Sequence, residues 1–402
     1  MTPPPTASKD GRVSRGVPPG LSRALLGAPW SALPSLLPGI ALAAAVMLAA
    51  QRLAVWLGAG VMRLQGIDPA GRPSPVSGIM VAIVLGMVLA NSLRIPKAFT
   101  PGLGFAMRKL LRLGIILVGI RLSLLDVFAL GAVAVPIVAA IVVAALVITT
   151  AFARRVGVSD NLGTLAAAST AICGVTAALA VAPAIEADDR EVAYTLANVT
   201  LFGALSMFCD PYLAHALLGK TSAAVGLFLG TGIHDTSQVM GAALSYRELF
   251  RDEVALQVAT VTKLTRNLFL AAVVPALAYL HARRRGVGHA GAVRLAGLFP
   301  LFVAGFVAMA AVRSVGDAML ARGGLAWGVW GAAAWAGLVK AAGESASGLA
   351  LGAAMAGVGL TTRFSALRGL GAKPFYVGAV SATVVGLLAL LLAAAVGPHL
   401  AR

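Results

Sequence analysis

The chain has 402 residues, of which 59% are hydrophobic and only 12% are charged. A soluble domain carries about twice that share of charged residues. The mean hydropathy is +0.90, and apolar runs of about 20 residues, long enough to cross a bilayer, recur from Leu33 to Ala395. The composition predicts an all-α polytopic membrane protein embedded in a lipid bilayer, with no room for a sizeable soluble domain.

The net charge of +17 does not point to a nucleic-acid partner. The Lys and Arg residues fall in short loops, as the positive-inside rule expects, and no basic stripe alternates with aromatic residues. The sequence contains no P-loop, no dinucleotide-binding glycine motif and no GxSxG motif, so no cofactor and no ATP-driven step is predicted. No second His or Cys pair stands at ligand spacing from His234, so no metal site is predicted.

The first 30 residues are rich in Pro, Gly and Ser and carry four basic side chains. They are predicted to form a disordered cytoplasmic tail, and residues 31–402 are predicted to form the transmembrane domain. The polar part is too long for the start of a cleaved signal peptide, so the first apolar run is interpreted as a membrane anchor.

Hydropathy and loop charge predict about eleven transmembrane helices (10–12), with a cytoplasmic N-terminus and a periplasmic C-terminus. In this scheme loops 93–104, 153–161, 218–221, 282–291 and 362–373 lie inside, and segments 186–191 and 245–253 lie outside. The tryptophan-rich segment 324–343 is predicted to be an interfacial helix that does not cross. The predicted spans are 33–59, 76–92, 105–123, 127–152, 162–185, 192–217, 222–243, 254–281, 292–313, 344–361 and 374–396.

Eleven spans divide into one plus five plus five. The fifth and tenth spans are both crowded with Gly, Ala, Ser and Thr, and they would cross in opposite directions. This predicts two inverted repeats, 76–217 and 222–397, whose paired fifth and tenth helices are interrupted within the membrane. Ordinary close packing of helices through small residues is the alternative.

The segment "GTGIHDTSQV" (230–239) interrupts the seventh span with an unbroken polar run. Gly230 and Gly232 allow the backbone to leave helical geometry, and residues 235–237 suit the N-cap of a restarting helix. Such an N-terminus attracts an anion, and the imidazole and carboxyl groups could exchange a proton. Structural hydrogen bonding between helices is the alternative interpretation. The candidate binding residues here are Gly232, His234, Asp235, Thr236, Ser237 and Gln238.

The segment "STAICGVT" (169–176) is the second candidate. Its hydroxyl groups, with a helix break beside the cysteine, would supply donors from the opposite side of the same cavity. A nucleophilic role for the cysteine is not indicated, because apolar neighbours disfavour its thiolate. A tightly packed small-residue helix is the alternative. The candidates are Ser169, Thr170, Cys173, Gly174 and Thr176, and the sequence leaves open whether Ser169 or Thr170 faces the cavity.

The segment "TVTKLTRNL" (260–268) places Lys263 and Arg266 three residues apart on one helical face. Two cations within a span are costly unless they are paired or face water. They are predicted to offset the charge of an anionic substrate. Pairing with Asp210 or Asp235, or snorkelling to an interface, is the alternative.

Five blocks together resemble the YeiH-like sulfate exporter family of UPF0324-type bacterial inner-membrane proteins. The resemblance runs from about Pro38 to the C-terminus. It implies a distant relation to the cation/proton antiporter and bile-acid symporter superfamily, with five-helix inverted repeats, crossed broken helices, an elevator-type moving domain and frequent homodimers. The blocks are "LLRLGIILVGIRLSLLDV", "STAICGVTAALAVAPAI", "GTGIHDTSQV", "KLTR" and "AAMAGVGLTTRFSALRGLGAKP".

These observations favour a secondary transporter, and not an enzyme, that exports a small sulfur-containing anion such as sulfate or sulfite, with protons as the coupling ion. A cation/proton or organic-acid antiporter is the alternative, and it would depend on Asp235 and Asp210 more than on Lys263 and Arg266. An intramembrane enzyme would need a catalytic pair around His234, and the polar run argues against a purely structural subunit.

Overall fold

The computed structural model describes residues 33–70, 74–284, 300–367 and 371–400. The predicted tail, 1–30, lies outside the described residues. The regular secondary structure of the described chain is helical apart from one isolated bridge between Ala326 and Trp330. Six helical segments are long and apolar enough to cross a membrane: Leu33–Leu64, Leu124–Val156, Asp189–Leu218, Glu253–His281, Leu301–Ala321 and Ala372–His399.

The helices are numbered in chain order. They are α1 (Leu33–Leu64), α2 (Gly78–Ser92), α3 (Thr100–Phe105), α4 (Leu111–Val118), α5 (Leu124–Val156), α6 (Asp160–Ala171), α7 (Val175–Val181), α8 (Asp189–Leu218), α9 (Ser222–Gly232), α10 (Thr236–Phe250), α11 (Glu253–Leu268), α12 (Leu270–Arg284), α13 (Leu301–Ala321), α14 (Ala332–Lys340), α15 (Ser347–Thr361) and α16 (Ala372–Leu400). A π-helical turn, Ala106–Leu110, joins α3 to α4, and another, Ala341–Ala346, joins α14 to α15.

Contacts between helix ends define two faces of the molecule. We call the face where α1 begins the near face and the face where α1 ends the far face. At the near face Asn91 Nδ2 donates to Thr362 O at 3.0 Å. At the far face Ser77 Oγ donates to Glu248 Oε2 at 2.7 Å. Nine helical passes join the two faces in the described chain: α1, α2, α3–α4, α5, α8, α11–α12, α13, α14–α15 and α16.

The fifth predicted span is a hairpin and not a crossing. Ser159, which caps the start of α6, hydrogen-bonds to Glu191 in the first turn of α8. Because only residues 182–188 separate α7 from α8, α7 must return to the near face where α6 began. At a rise of about 1.5 Å per residue, α6 reaches about halfway through a bilayer before the chain reverses.

The seventh predicted span is a second hairpin, which enters from the opposite side. The ring of His215, near the end of α8, stacks on Phe250, the last residue of α10, at a centroid distance of 3.7 Å. α9 starts four residues after α8 ends, so α9 and α10 both have their outer ends at the far face. We call α6–α7 the near hairpin and α9–α10 the far hairpin.

These hairpins correct the predicted topology. Segment 186–191 lies on the same face as segment 153–161, and loop 218–221 lies with segment 245–253, whereas the loop charges predicted opposite sides in both cases. A break in hydropathy marks where a helix stops but does not say whether the chain continues or reverses. The two faces at which the described chain begins and ends are nevertheless opposite, because two reversals leave the order of the remaining passes unchanged.

The prediction of an interrupted tenth span is also wrong. Ala332 to Thr361 forms one helical run through the π turn, so the segment predicted as a separate interfacial helix, 324–343, instead begins as turns and continues into the pass. The small residues of α15 serve close packing: Gly352 contacts Met47, and Gly359 contacts the backbone of Ile83. The interrupted segment that meets the near hairpin is therefore the far hairpin, and not the tenth predicted span.

Candidate functional site

The tips of the two hairpins meet inside the molecule. The near tip is Ile172–Gly174 and the far tip is Ile233–Asp235. A Cβ at Gly174 would lie 3.0 Å from Asp235 Cβ and 2.9 Å from Val199 Cγ1, so only a glycine fits there. Gly174 also has φ +65° and ψ −119°, a conformation that L side chains rarely adopt.

Two buried cations hold both tips from α11. Lys263 Nζ donates to Ile172 O and Ile233 O, each at 3.1 Å, and to His234 O. Arg266 Nε donates to Ala171 O at 2.7 Å, and its Nη1 donates to Thr231 O at 2.7 Å. Arg266 makes two further bonds, to Ile233 O at 3.1 Å and to Thr170 O.

These bonds answer a specific problem of the fold. Each hairpin leaves the last carbonyl groups of its first helix without intrahelical partners, at the negative end of the helix dipole. The negative dipole ends of α6 and α9, together with the Asp235 carboxylate, offset part of the charge of the two cations. Neither cation forms an ion pair with Asp210 or Asp235 in the part of the chain that the structure describes, and neither snorkels, because both are fully buried.

The far hairpin restarts with a complete capping box. Asp235 Oδ2 accepts from Ser237 N at 2.9 Å and from the Ser237 hydroxyl, and Gln238 Oε1 accepts from Asp235 N at 3.3 Å. Gln238 Nε2 in turn donates to Thr200 O at 3.3 Å, which ties α10 to α8. The predicted restart at residues 235–237 is confirmed, although Gly230 and Gly232 remain inside α9.

A small pocket lies beside the tips, bounded by the near hairpin, α8, α16 and His234. Its volume is about 10 Å³, close to the least space that holds one water molecule. His234 is buried, and both of its ring nitrogens lack a hydrogen-bond partner among the described residues. Asn198 Nδ2 donates to Pro374 O at 2.8 Å while its Oδ1 has no partner there. The lining residues are Ala166, Ser169, Thr170, Thr195, Asn198, Val199, Phe202, His234 and Gly378.

The structure sorts the predicted site residues into groups. Ser169, Thr170 and His234 line the pocket, so both hydroxyl-bearing candidates face it. Thr176 is exposed and lies away from the pocket, on α7, the returning helix of the near hairpin. Cys173 is buried at the near tip. Thr236 accepts from Asn267 Nδ2 at 3.2 Å, a second link between the far hairpin and α11.

Sequence reasoning gave too little weight to α8 and α16. The pocket positions of Thr195 and Asn198 on α8, and the close approach at Gly378 on α16, become visible only once these helices are packed together. Among the described residues no group of three or more His, Cys, Asp and Glu side chains could hold a metal ion.

The fold and the site define a class of protein: a polytopic α-helical membrane protein in which the tips of two opposed helical hairpins meet and are bound by two buried cationic side chains. Residues 38–378 match the family model described as "Conserved hypothetical protein 698". The chain belongs to this family of membrane proteins.

Individual relatives agree with that assignment. A UPF0324 membrane protein of Bacillus cereus is 30% identical over 320 residues, which cover 79% of this chain and 84% of that protein. The UPF0324 membrane protein TauZ of Paracoccus pantotrophus is 33% identical over 282 residues, covering 69% of this chain and 76% of that protein. The predicted UPF0324-type resemblance is confirmed. No solved structure matches the chain.

Proposed function

We propose that this protein is a secondary transporter that moves a small sulfur-containing anion, such as sulfate or sulfite, across the bacterial inner membrane. One observation carries the proposal: two hairpins that enter from opposite faces meet beside a pocket lined by His234, a buried residue whose ring nitrogens have no hydrogen-bond partner among the described residues. Polar groups at such depth are costly, and transporters retain them because irregular backbone there lines a substrate path.

An anion is the favoured substrate because of the groups around the pocket. The positive dipole end of α10 lies at the far tip, and His234 supplies ring nitrogens that no described residue uses. Lys263 and Arg266 contribute positive potential, although their hydrogen bonds go to main-chain carbonyl groups and not into the pocket. Their role toward substrate is therefore through the electrostatic field and through the position of the tips. His234 and Ser169 would contact the anion once the hairpins move apart, because the pocket as it stands has room for about one water molecule.

The direction and energetics follow as further parts of the proposal. The near face carries Arg94, Lys97, Arg154, Arg155, Arg363 and Lys373, and we assign it to the cytoplasm by the positive-inside rule, although the far face also carries Lys220, Arg251 and Arg322. Export would then start from the near hairpin, and His234 with Asp235 would pass the coupling proton. The hairpins with α11 would move as one body against the remaining passes in an elevator-type step, in a homodimer.

A cation/proton or organic-acid antiporter is the second candidate. It is favoured by the engagement of Lys263 and Arg266 with carbonyl groups, which leaves the partly exposed Asp235 carboxylate at the tips without an ion-pair partner among the described residues. An intramembrane enzyme is less well supported, since the Ser169 hydroxyl donates to Ala166 O at 3.0 Å and the His234 ring has no described partner to activate.

Counterflow of radiolabelled sulfate and sulfite in proteoliposomes, with and without a pH gradient, tests the proposal. Saturable counterflow in the native chain that is lost in His234→Ala is the expected result. Thr176→Ala is the matched control, because its side chain is exposed on the same hairpin, and it should retain native flux. Flux of neither anion in folded protein would move the assignment to the second candidate, for which Asp235→Asn is the decisive variant.

A further inference from the structure

A second cavity lies on the far side of the molecule, apart from the hairpin tips. Its volume is about 280 Å³, and it is bounded by the end of the α4 pass, α11, α13, α14 and the second π turn. Gln257 lines the cavity from α11, and it lies six residues, or about 9 Å along the helix, from Lys263. The lining residues are Arg121, Gln257, Arg313, Ala336, Val339, Lys340 and Glu344.

Three cations from three separate elements converge on this cavity, against one lining carboxylate. Arg121 Nη1 pairs with Glu253 at 2.5 Å, and Arg313 Nε pairs with Asp317 at 2.5 Å. Neither of these carboxylates is among the residues that line the cavity, so each pairs with its guanidinium group from outside the cavity. Lys340 is exposed and has no hydrogen-bond or ion-pair partner among the described residues.

The Glu344 carboxylate lies in the cavity wall beside Arg121, where an anionic ligand could take its place. Its carboxylate lies 3.4 Å from Arg121 Nη2, a long contact, and its side chain is 48% exposed. Exposed pairs of this kind contribute little to stability. Glu344 also belongs to the π turn Ala341–Ala346, and π turns inside helices occur frequently at functional sites. Close packing of Gly343 on the Arg121 side chain fixes the guanidinium group at the cavity wall.

We infer that this cavity, formed by Arg121, Arg313 and Lys340, is a second binding site for a small oxyanion, which displaces the Glu344 carboxylate from Arg121. The ligand chemistry is that of sulfate or phosphate, either as a free ion or as the headgroup of an anionic lipid. The site does not depend on the proposed transport function, since it shares no lining residue with the pocket at the hairpin tips.

The cavity has a natural optical reporter. Trp335 Nε1 donates to Asp317 Oδ1 at 2.8 Å, and Asp317 holds Arg313, so an anion on Arg313 alters the surroundings of a buried indole. In a Trp30→Phe, Trp56→Phe background the three remaining tryptophans all lie between residues 327 and 335. Tryptophan emission then reports on this corner of the protein.

The experiment uses the full chain in nanodiscs and has two arms. In phosphatidylcholine discs, titration with inorganic sulfate should give a saturable emission change. That change should be lost in Arg313→Gln and Lys340→Gln, and retained in Arg322→Gln, an exposed matched control, and in His234→Ala. Glu344→Gln should bind sulfate about two- to five-fold more tightly, because the internal competitor is gone.

The second arm replaces sulfate with phosphatidylglycerol in the disc. A Lys340-dependent change there, without a sulfate response, identifies a lipid headgroup as the source of the same chemistry. No Lys340-dependent change in either arm, or a Glu344→Gln affinity equal to native, overturns the inference. Because Lys340→Gln removes a side chain with no described partner, its effect cannot be attributed to a lost ion pair, and retained response in His234→Ala separates this site from the transport pocket.

Discussion

At the residue scale, the cations on α11 differ in role from the cations of a simple substrate site. Lys263 and Arg266 together donate to carbonyl groups at the ends of α6 and α9, where these acceptors have no intrahelical N–H donor. A buried hydrogen bond to a charged group contributes about 1.5–3 kcal/mol, and an uncompensated buried carbonyl group is costly. These side chains therefore make the two reversals of the chain possible.

Replacement of Arg266 with Ala should destabilise the folded protein by about 3–5 kcal/mol, since four carbonyl groups lose a hydrogen bond, only one of them keeps a bond to Lys263, and Lys263 remains buried beside them. The apparent Tm of purified protein in detergent measures this. Arg155→Ala, at an exposed arginine near the end of α5, is the control and should change stability by no more than about 0.5 kcal/mol.

Arg266→Lys then separates charge from geometry. A lysine keeps the positive charge but lacks the planar fork that reaches carbonyl groups of both tips, so most of the loss should persist. Full recovery of the native Tm in Arg266→Lys would contradict a pinning role and leave only the contribution of charge.

His234 should behave in the opposite way. Its ring makes no hydrogen bond with described residues, so His234→Ala removes a functional group without breaking a network. We expect a smaller Tm change than in Arg266→Ala, together with loss of anion counterflow. A variant that is as unstable as Arg266→Ala would show that the ring is a structural element, and native flux would remove it from the binding site.

At the scale of elements, the near hairpin depends on one glycine. Gly174 combines a left-handed φ with a close approach to Val199 and Asp235, so a methyl group is both strained and obstructed. The need for glycine at position 174 comes from tertiary contacts with Val199 and Asp235. The local sequence does not reveal it, because a glycine among small residues also suits ordinary helix packing.

Gly174→Ala should cost about 1–3 kcal/mol from backbone strain alone, with the contact to the far tip adding to it. Gly131→Ala is the matched control: it lies inside α5, where a Cβ would meet nothing within 4 Å, and it should be neutral or stabilising by up to about 1 kcal/mol. Thermal unfolding of both variants makes the comparison. Equal Tm values for the two would mean that the tips do not meet as described.

At the scale of the whole molecule, the hairpins make a prediction about sidedness. Arg155 and Arg190 should be accessible from one side of the membrane, and Lys220 and Arg251 from the other. Single cysteines at these four exposed positions, in a Cys173→Ala, Cys209→Ala background, can be labelled with an impermeant maleimide in sealed vesicles. Eleven simple crossings would instead place positions 155 and 190 on opposite sides, and likewise 220 and 251.

The sequence by itself determined what local physics controls. Apolar length determined the membrane class and the polar run at 234–238 indicated a helix restart, because capping and hydropathy act over a few residues, whereas a break at Gly174 was one of two interpretations. The sequence showed that two cations, Lys263 and Arg266, lie within one membrane span. It did not show that both side chains bind main-chain carbonyl groups.

The tertiary structure decided the direction of the chain after each break, the partner of each tip and the contents of the pocket. A helix break is compatible with both crossing and reversal, and the choice depends on which distant groups satisfy the freed carbonyl groups, here two side chains about 90 residues along the chain from the near tip. The same reason explains why α15, as rich in small residues as α6, runs unbroken: its glycines are used against α1 and α2, where the helices approach too closely for a Cβ.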